Sequence, residues 1–166
     1  MRPAGRGRGV IETGLAFLVA LLSGLIPVLN IELYLVGAVV AVDDGALVAM
    51  AAAAGLGQTL GKLPYYYVGR GTISAPWLRR KAATPGRWTA RAERWREKAQ
   101  ERPVWGLGLV ALSSFASVPP FVIVSVLAGV VRIGVWRFAV ITFVTRTARF
   151  LIVVYAPAWA LTYLPG

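Results

Sequence analysis

Apolar positions along this chain fall into blocks rather than into strand alternation or the narrow stripe of a soluble helix. The first block runs from Leu15 to Val28 and is interrupted by Pro27-Val28-Leu29-Asn30; after Glu32, apolar sequence resumes through Val42. About a dozen apolar residues, a Pro/Asn break and a second short run predict two half-helices, each too short to cross a hydrocarbon core of ~30 Å. Broken backbone at membrane depth survives only where protein or a wet cavity surrounds it, so a re-entrant hairpin is expected here. Asp43-Asp44-Gly45 then predicts a return to the surface. Ahead of the hairpin, Met1 to Gly9 is basic and glycine-rich and reads as a flexible arm. A basic start before a short apolar run also fits a secretory signal peptide, but no small-residue cleavage site closes the run, and a retained segment is expected.

From Ala46 to Tyr67 the pattern predicts a spanning helix. Gly45, Ala49, Ala53, Gly57 and Gly61 recur every fourth residue, a small-residue stripe of the kind that lets membrane helices approach closely. Tyr65-Tyr66-Tyr67 and Arg70 form an aromatic and basic border. Arg70 to Pro103 is the long polar stretch. Within it Thr84-Pro85 predicts a helix start. Trp88, Ala92, Trp95 and Ala99 then share one face among Arg91, Arg94, Arg96 and Lys98, the pattern of an amphipathic helix lying at a membrane interface. The first half then repeats. Val104 to Val118 is apolar, Pro119-Pro120 breaks it, Phe121 to Val131 is apolar again, and Val135 to Leu164 offers a last span. Setting Pro27 against Pro119 also brings Gly37 against Gly129.

The expected fold is therefore an all-α integral membrane protein forming a single membrane domain over residues 1–166. Two inverted repeats, 10–69 and 104–164, each hold a Pro-broken re-entrant hairpin and a transmembrane helix. They are joined by a basic cytoplasmic linker, 70–103, carrying the amphipathic helix. Inverted repeats whose discontinuous helices meet near the midplane are a recurring transporter plan.

Composition and charge sharpen this picture. The chain is 57% hydrophobic and 15% charged, short of what a water-facing surface needs. Its net charge of +11 suggests nucleic acid until the distribution is considered: ten of the 18 Lys+Arg lie between Arg70 and Arg102, and Arg2, Arg6 and Arg8 precede the first apolar run. Basic residues confined to loops beside apolar spans follow from positive-inside topology and attraction to anionic headgroups, with no nucleic-acid motif beside them. The 70–103 loop is accordingly assigned to the cytoplasm, with Asp43 and Asp44 outside and Arg132 and Arg137 inside. Arg2, Arg6 and Arg8 then fall outside, against the charge rule; either the arm crosses or the larger loop charge dominates. Absence of His and Cys removes Ser-His-Asp hydrolysis, His- or Cys-ligated metals and a disulfide framework. No cofactor or metal is expected.

Ionisable residues inside apolar segments are costly and usually face a partner or a cavity. Glu32, just after the first break, and Arg146 and Arg149, inside the last span, are the candidates. A Glu–Arg pair would lower the cost of burial, and the arginine could hold a phosphate headgroup while Glu32 changes protonation; a static ion pair fixing the fold is the plainer alternative. Asp44 fits a solvated turn as well as a function, and Gln58 fits a hydrogen bond across helices. Pro27, Asn30, Pro119 and Pro120 are the hairpin breaks. Gly57-Gln58-Thr59-Leu60-Gly61-Lys62 imitates a phosphate loop but lies in an apolar helix, has Leu56 at the required glycine and is followed by Leu63 where Ser or Thr should stand.

Several stretches resemble the DedA/VTT-domain (SNARE-associated Golgi type) membrane family, most closely its short YqaA-like branch. They are Ile26-Pro27 through Glu32 and Gly37, Gly55-Leu56-Gly57-Gln58-Thr59-Leu60-Gly61 leading to Tyr67-Val68-Gly69-Arg70, Ala128-Gly129-Val130-Val131-Arg132-Ile133, and Thr145-Arg146-Thr147-Ala148-Arg149-Phe150. The resemblance covers roughly Leu22 to Val154. It implies two opposed re-entrant hairpins and movement of phospholipid or undecaprenyl phosphate across a bacterial-type inner membrane, in some members coupled to protons. The family's embedded acidic residues look like Glu32 and Asp44, and its last-helix arginine looks like Arg149. Many members carry arginines at the second hairpin's turn, where this chain has Ser117-Val118-Pro119-Pro120-Phe121.

The leading expectation is a lipid flippase or scramblase with no enzymatic step, whose partners are membrane lipids with anionic headgroups; a homo-oligomer is left open. A membrane scaffold or assembly factor without a transport cycle is the alternative. An intramembrane enzyme acting on lipid phosphate would have to rely on Ser113, Ser114 and carboxylates.

Overall fold

A computed structural model describes residues 4–26, 31–39, 44–73 and 86–163. Among them are seven helices and no strand: α1 (Ala4–Leu25), α2 (Ile31–Val39), α3 (Asp44–Gly69), α4 (Gly86–Glu101), α5 (Pro103–Ala116), α6 (Phe121–Val130) and α7 (Val135–Tyr163). Two stretches, Gly45–Gly69 in α3 and Val135–Ala156 in α7, are long and apolar enough to cross a membrane. The chain divides into two compact units, one of Met1–Gly61 with Arg146–Gly166 and one of Lys62–Thr145, so α3 and α7 each contribute to both.

In the first unit, α1 corrects the sequence reading. The arm expected to be flexible is helical from Ala4, and α1 has 22 residues, about 33 Å at helical rise, rather than a dozen. Gly9 lies close to α3, where a Cβ on it would be 3.2 Å from that of Ala46. The break residues Pro27 and Asn30 lie outside the described residues, as do Asp43 and the Thr84-Pro85 helix start; α1 ends at Leu25, and α2, with 9 residues, is the short half-helix expected. Ala16, Ala20, Ile31, Leu35, Met50, Ala51, Ala54, Phe150 and Val154 form the buried core of this unit, drawn from α1, α2, α3 and α7. The small-residue stripe acts in part. A Cβ on Gly61 would lie 2.6 Å from the Leu21 carbonyl oxygen, and one on Gly57 would overlap that of Phe17, so α1 and α3 meet backbone to backbone; Gly45 and Ala49, on the same stripe, are exposed.

The second unit is built on the second broken pair. Pro103 opens α5 at its first turn, where its missing N–H costs nothing. Ser117, left-handed at φ 58°, closes α5, its N–H donating to the Ser113 carbonyl. The Ser113 hydroxyl donates to the Pro119 carbonyl at 2.6 Å, tying the break, and α6 begins after Pro120. With 14 and 10 residues, α5 and α6 are about 21 and 15 Å long. Trp95 and Ala99 on α4, expected to face lipid, pack within the protein: Ala99 is buried against Gly106, and Trp95 joins the cluster of Tyr66, Val110, Val124, Ala128 and Phe138. A Glu93–Arg96 ion pair, three residues apart, lies on α4's exposed side at 3.1 Å.

Gly37 and Gly129, aligned in the two halves, occupy different surroundings. Nothing stands within 4 Å of where a Gly37 Cβ would be, whereas a Gly129 Cβ would overlap the Tyr66 carbonyl oxygen.

Candidate functional site

Glu32 lies in the first turn of α2, where the helix dipole favours a carboxylate. Arg146 and Arg149 are three residues apart on α7, hence on one face of it. Fold and charge converge here. The Arg149 Nε donates to Glu32 Oε1 at 2.7 Å and Nη2 approaches the same oxygen at 2.5 Å, joining positions 117 residues apart. Both side chains are partly shielded, with 23% of Arg149 and 31% of Glu32 accessible. Arg146 is buried at 7% exposure and lies within Coulombic range of both. Two guanidinium groups thus share the neighbourhood of one paired carboxylate. Such an excess of positive charge in a poorly solvated region is suited to an anion.

Gln58 is buried on α3 and makes the cross-helix bond expected of it, donating from Nε2 to the Ser23 hydroxyl on α1 at 3.0 Å. Its Oε1 and the Thr147 hydroxyl are buried without hydrogen-bond partners among the described residues. Thr147, between the two arginines, presses on Gly55 of α3, where any Cβ would overlap its hydroxyl. Asp44 is the first residue of α3. Pro119 and Pro120 lie between α5 and α6, and the turn they form carries no charge.

Three residues escaped the sequence reading. Tyr34 on α2 donates its hydroxyl to Glu12 Oε2 on α1 at 2.8 Å, so a second carboxylate is held by the same short helix that carries Glu32. Glu12 lay just before the apolar run as drawn from sequence; the helix extends past it. Lys62, dismissed with the false phosphate loop, is 5% exposed on α3 with its Nζ 5.2 Å from the Tyr65 ring centroid, a cation–π distance. Its signal was available as a lysine within an apolar helix. The hydroxyls offered as nucleophiles are engaged with backbone: Ser113 with the Pro119 carbonyl, and Ser114 at 3.5 Å from that of Thr142.

The family model of the VTT domain matches residues 13–158, nearly the whole chain. Comparison with curated proteins and with solved structures gives no match.

Proposed function

We propose, for a chain that belongs to the VTT-domain (DedA) family, that it moves a lipid with an anionic phosphate headgroup across the bilayer. The observation carrying this reading is the Arg149–Glu32 pair with Arg146 beside it, set on apolar helices. Protonation of Glu32 would release the Arg149 guanidinium, which could then take a phosphate oxygen through the same two N–H groups. Loss of the proton would restore the internal pair and expel the headgroup, giving a route to proton coupling without a bond being made or broken in the substrate. On this reading the two broken pairs, α1–α2 and α5–α6, are opposed re-entrant hairpins of an inverted repeat in a plasma-membrane protein, and the basic 70–103 segment is cytoplasmic. Phospholipid or polyprenyl phosphate would be the substrate.

Transbilayer movement of a fluorescent anionic lipid in proteoliposomes tests it. Glu32→Gln and Arg149→Ala should each slow transport by about tenfold, the effect of one charge-assisted hydrogen bond. Wild-type rates in both variants would end the charge-pair mechanism. A scaffold without a transport cycle is the second reading, favoured by the engagement of two Arg149 donors with one Glu32 oxygen, which also suits a static clamp. It expects normal turnover per folded molecule and reduced thermal stability.

A further inference from the structure

A cleft in the second unit is lined by Ala99 and Gln100 on α4, Pro103 and Leu107 on α5, the Val131–Gly134 turn and Arg137 on α7, with a volume of about 240 Å³. Its charged lining is two arginines, Arg132 and Arg137, both exposed, and no carboxylate is among its lining residues. Leu107, Val131 and Ile133 give it an apolar wall. Two guanidinium groups, an amide and an apolar wall make an amphiphilic receptor for a phosphate that carries an organic group.

The turn presenting Arg132 is held rigidly. Ile133 N–H donates to the Ala128 carbonyl at 3.0 Å and Arg132 N–H to that of Gly129 at 3.1 Å, the paired bonds of a Schellman motif. The Tyr66 hydroxyl donates to the Ile133 carbonyl at 2.5 Å and accepts from Arg70 Nη1 at 2.9 Å. The motif requires its closing residue to be left-handed. At the end of α3 the same motif uses Gly71, at φ 78°, with Thr72 N–H bonded to the Tyr67 carbonyl. At the end of α6 the residue is Arg132, at φ 56°. An arginine in place of glycine there costs about 1 kcal/mol or more, and it sets Arg132 among the residues that line the cleft. A strained backbone conformation at a rigid turn is an observed outlier from which a functional hypothesis can start.

We propose that this cleft binds a phosphate-bearing ligand through Arg132 and Arg137, with Gln100 as an additional polar contact. The site stands on its own residues, independent of whether Glu32 and Arg149 support transport. The rigid turn fixes the backbone that carries Arg132, so ordering on binding is confined to the side chains.

The test uses the full chain purified in neutral detergent, titrated with inorganic phosphate, dihexanoyl phosphatidylglycerol and dihexanoyl phosphatidylcholine, all below their micelle thresholds. Arg132→Gly is the informative variant, because glycine suits the left-handed turn: the fold should be kept or stabilised while affinity for the phosphate ligand falls about tenfold. Arg137→Gln should weaken binding similarly. Saturable binding of phosphatidylglycerol alone, lost in both variants, supports a lipid headgroup as the ligand. Binding of inorganic phosphate at comparable affinity, also lost in both, supports a soluble phosphate. No saturable binding by wild type, or binding unchanged in Arg132→Gly, overturns the proposal. Binding measured in Glu32→Gln separates this site from the Glu32–Arg149 mechanism: the cleft should bind as in wild type there, whatever becomes of transport.

Discussion

Glu32 and Arg149 lie between two regimes of ion-pair energetics. Exposed pairs contribute about 0–1 kcal/mol, and breaking a buried pair costs about 3–5 kcal/mol because the remaining charge is stranded. With 31% and 23% of their side chains accessible, removal of either partner should cost about 1–3 kcal/mol. Glu32→Gln, Arg149→Gln and the double variant form a thermodynamic cycle, read by thermal unfolding in detergent. A coupling of at least about 1 kcal/mol is expected, since the two residues share a short charge-assisted bond; additive single effects would mean that the pair does not form. Tyr66 gives a second expectation at this scale. Its hydroxyl is the pin between α3 and the Val131–Gly134 turn, so Tyr66→Phe should lose about 1–2 kcal/mol. Hydrogen exchange at Arg132 and Ile133 should quicken with it, and unchanged protection there would show that the Schellman bonds suffice alone. Sequence could nominate Glu32 and Arg149 because charge inside an apolar block is visible without coordinates. Glu12 and Tyr66 could not be nominated: each is defined by a partner, Tyr34 or the Ile133 carbonyl, that only the folded chain supplies.

Among the helices, the two halves of the chain are alike in pattern and unlike in packing. Pro119-Pro120 interrupts the apolar run where the sequence says it should, because proline removes a helical donor and clashes with the preceding turn. The glycines that align across the halves then part company. Gly129 sits where α6 meets the Tyr66 backbone, and Gly37 has open space around its Cα. Gly129→Ala should therefore destabilise by roughly 1–3 kcal/mol through forced displacement of backbone. Gly37→Ala should stabilise α2 by roughly 0.5–1 kcal/mol through helix propensity. Melting temperatures moving in opposite directions are the expected result; a common direction would mean that the two glycines share a structural role after all. Helix length was less legible than helix existence. An apolar count ended α1 at its polar N-terminal residues, whereas the helix runs back to Ala4 and Gly9 on it comes close to Ala46 of α3. The same limit applies to α4, whose face of Trp95 and Ala99 reads as lipid-facing by periodicity but is occupied by Gly106 and the second core.

At the scale of the whole chain, charge and hydropathy bear on which way the protein faces. Apolar side chains project outward along α7 at Trp136, Val140, Val144 and Ile152, with 53–79% exposure, and along α1 at Val10, Ile11, Leu15, Leu18 and Leu22. These are surfaces that lipid would cover. The basic residues of 70–102 are therefore the strongest orienting signal, ten cations against the three at Arg2, Arg6 and Arg8. Charges within about 15–20 residues of a span set orientation most strongly, and acidic residues contribute little. The first half of the loop adjoins α3 and its later part adjoins α5, so its cations count toward both. The loop should lie in the cytoplasm, its ten cations outweighing Arg2, Arg6 and Arg8. Because the chain has no cysteine, one engineered thiol reports without background. Glu93→Cys on the exposed side of α4 should react with a membrane-impermeant maleimide in inside-out vesicles and stay unlabelled in intact cells. Reaction from the outer face would invert the assignment, placing Arg2, Arg6 and Arg8 where the charge rule puts them and reversing the side from which a headgroup would reach Arg132 and Arg137.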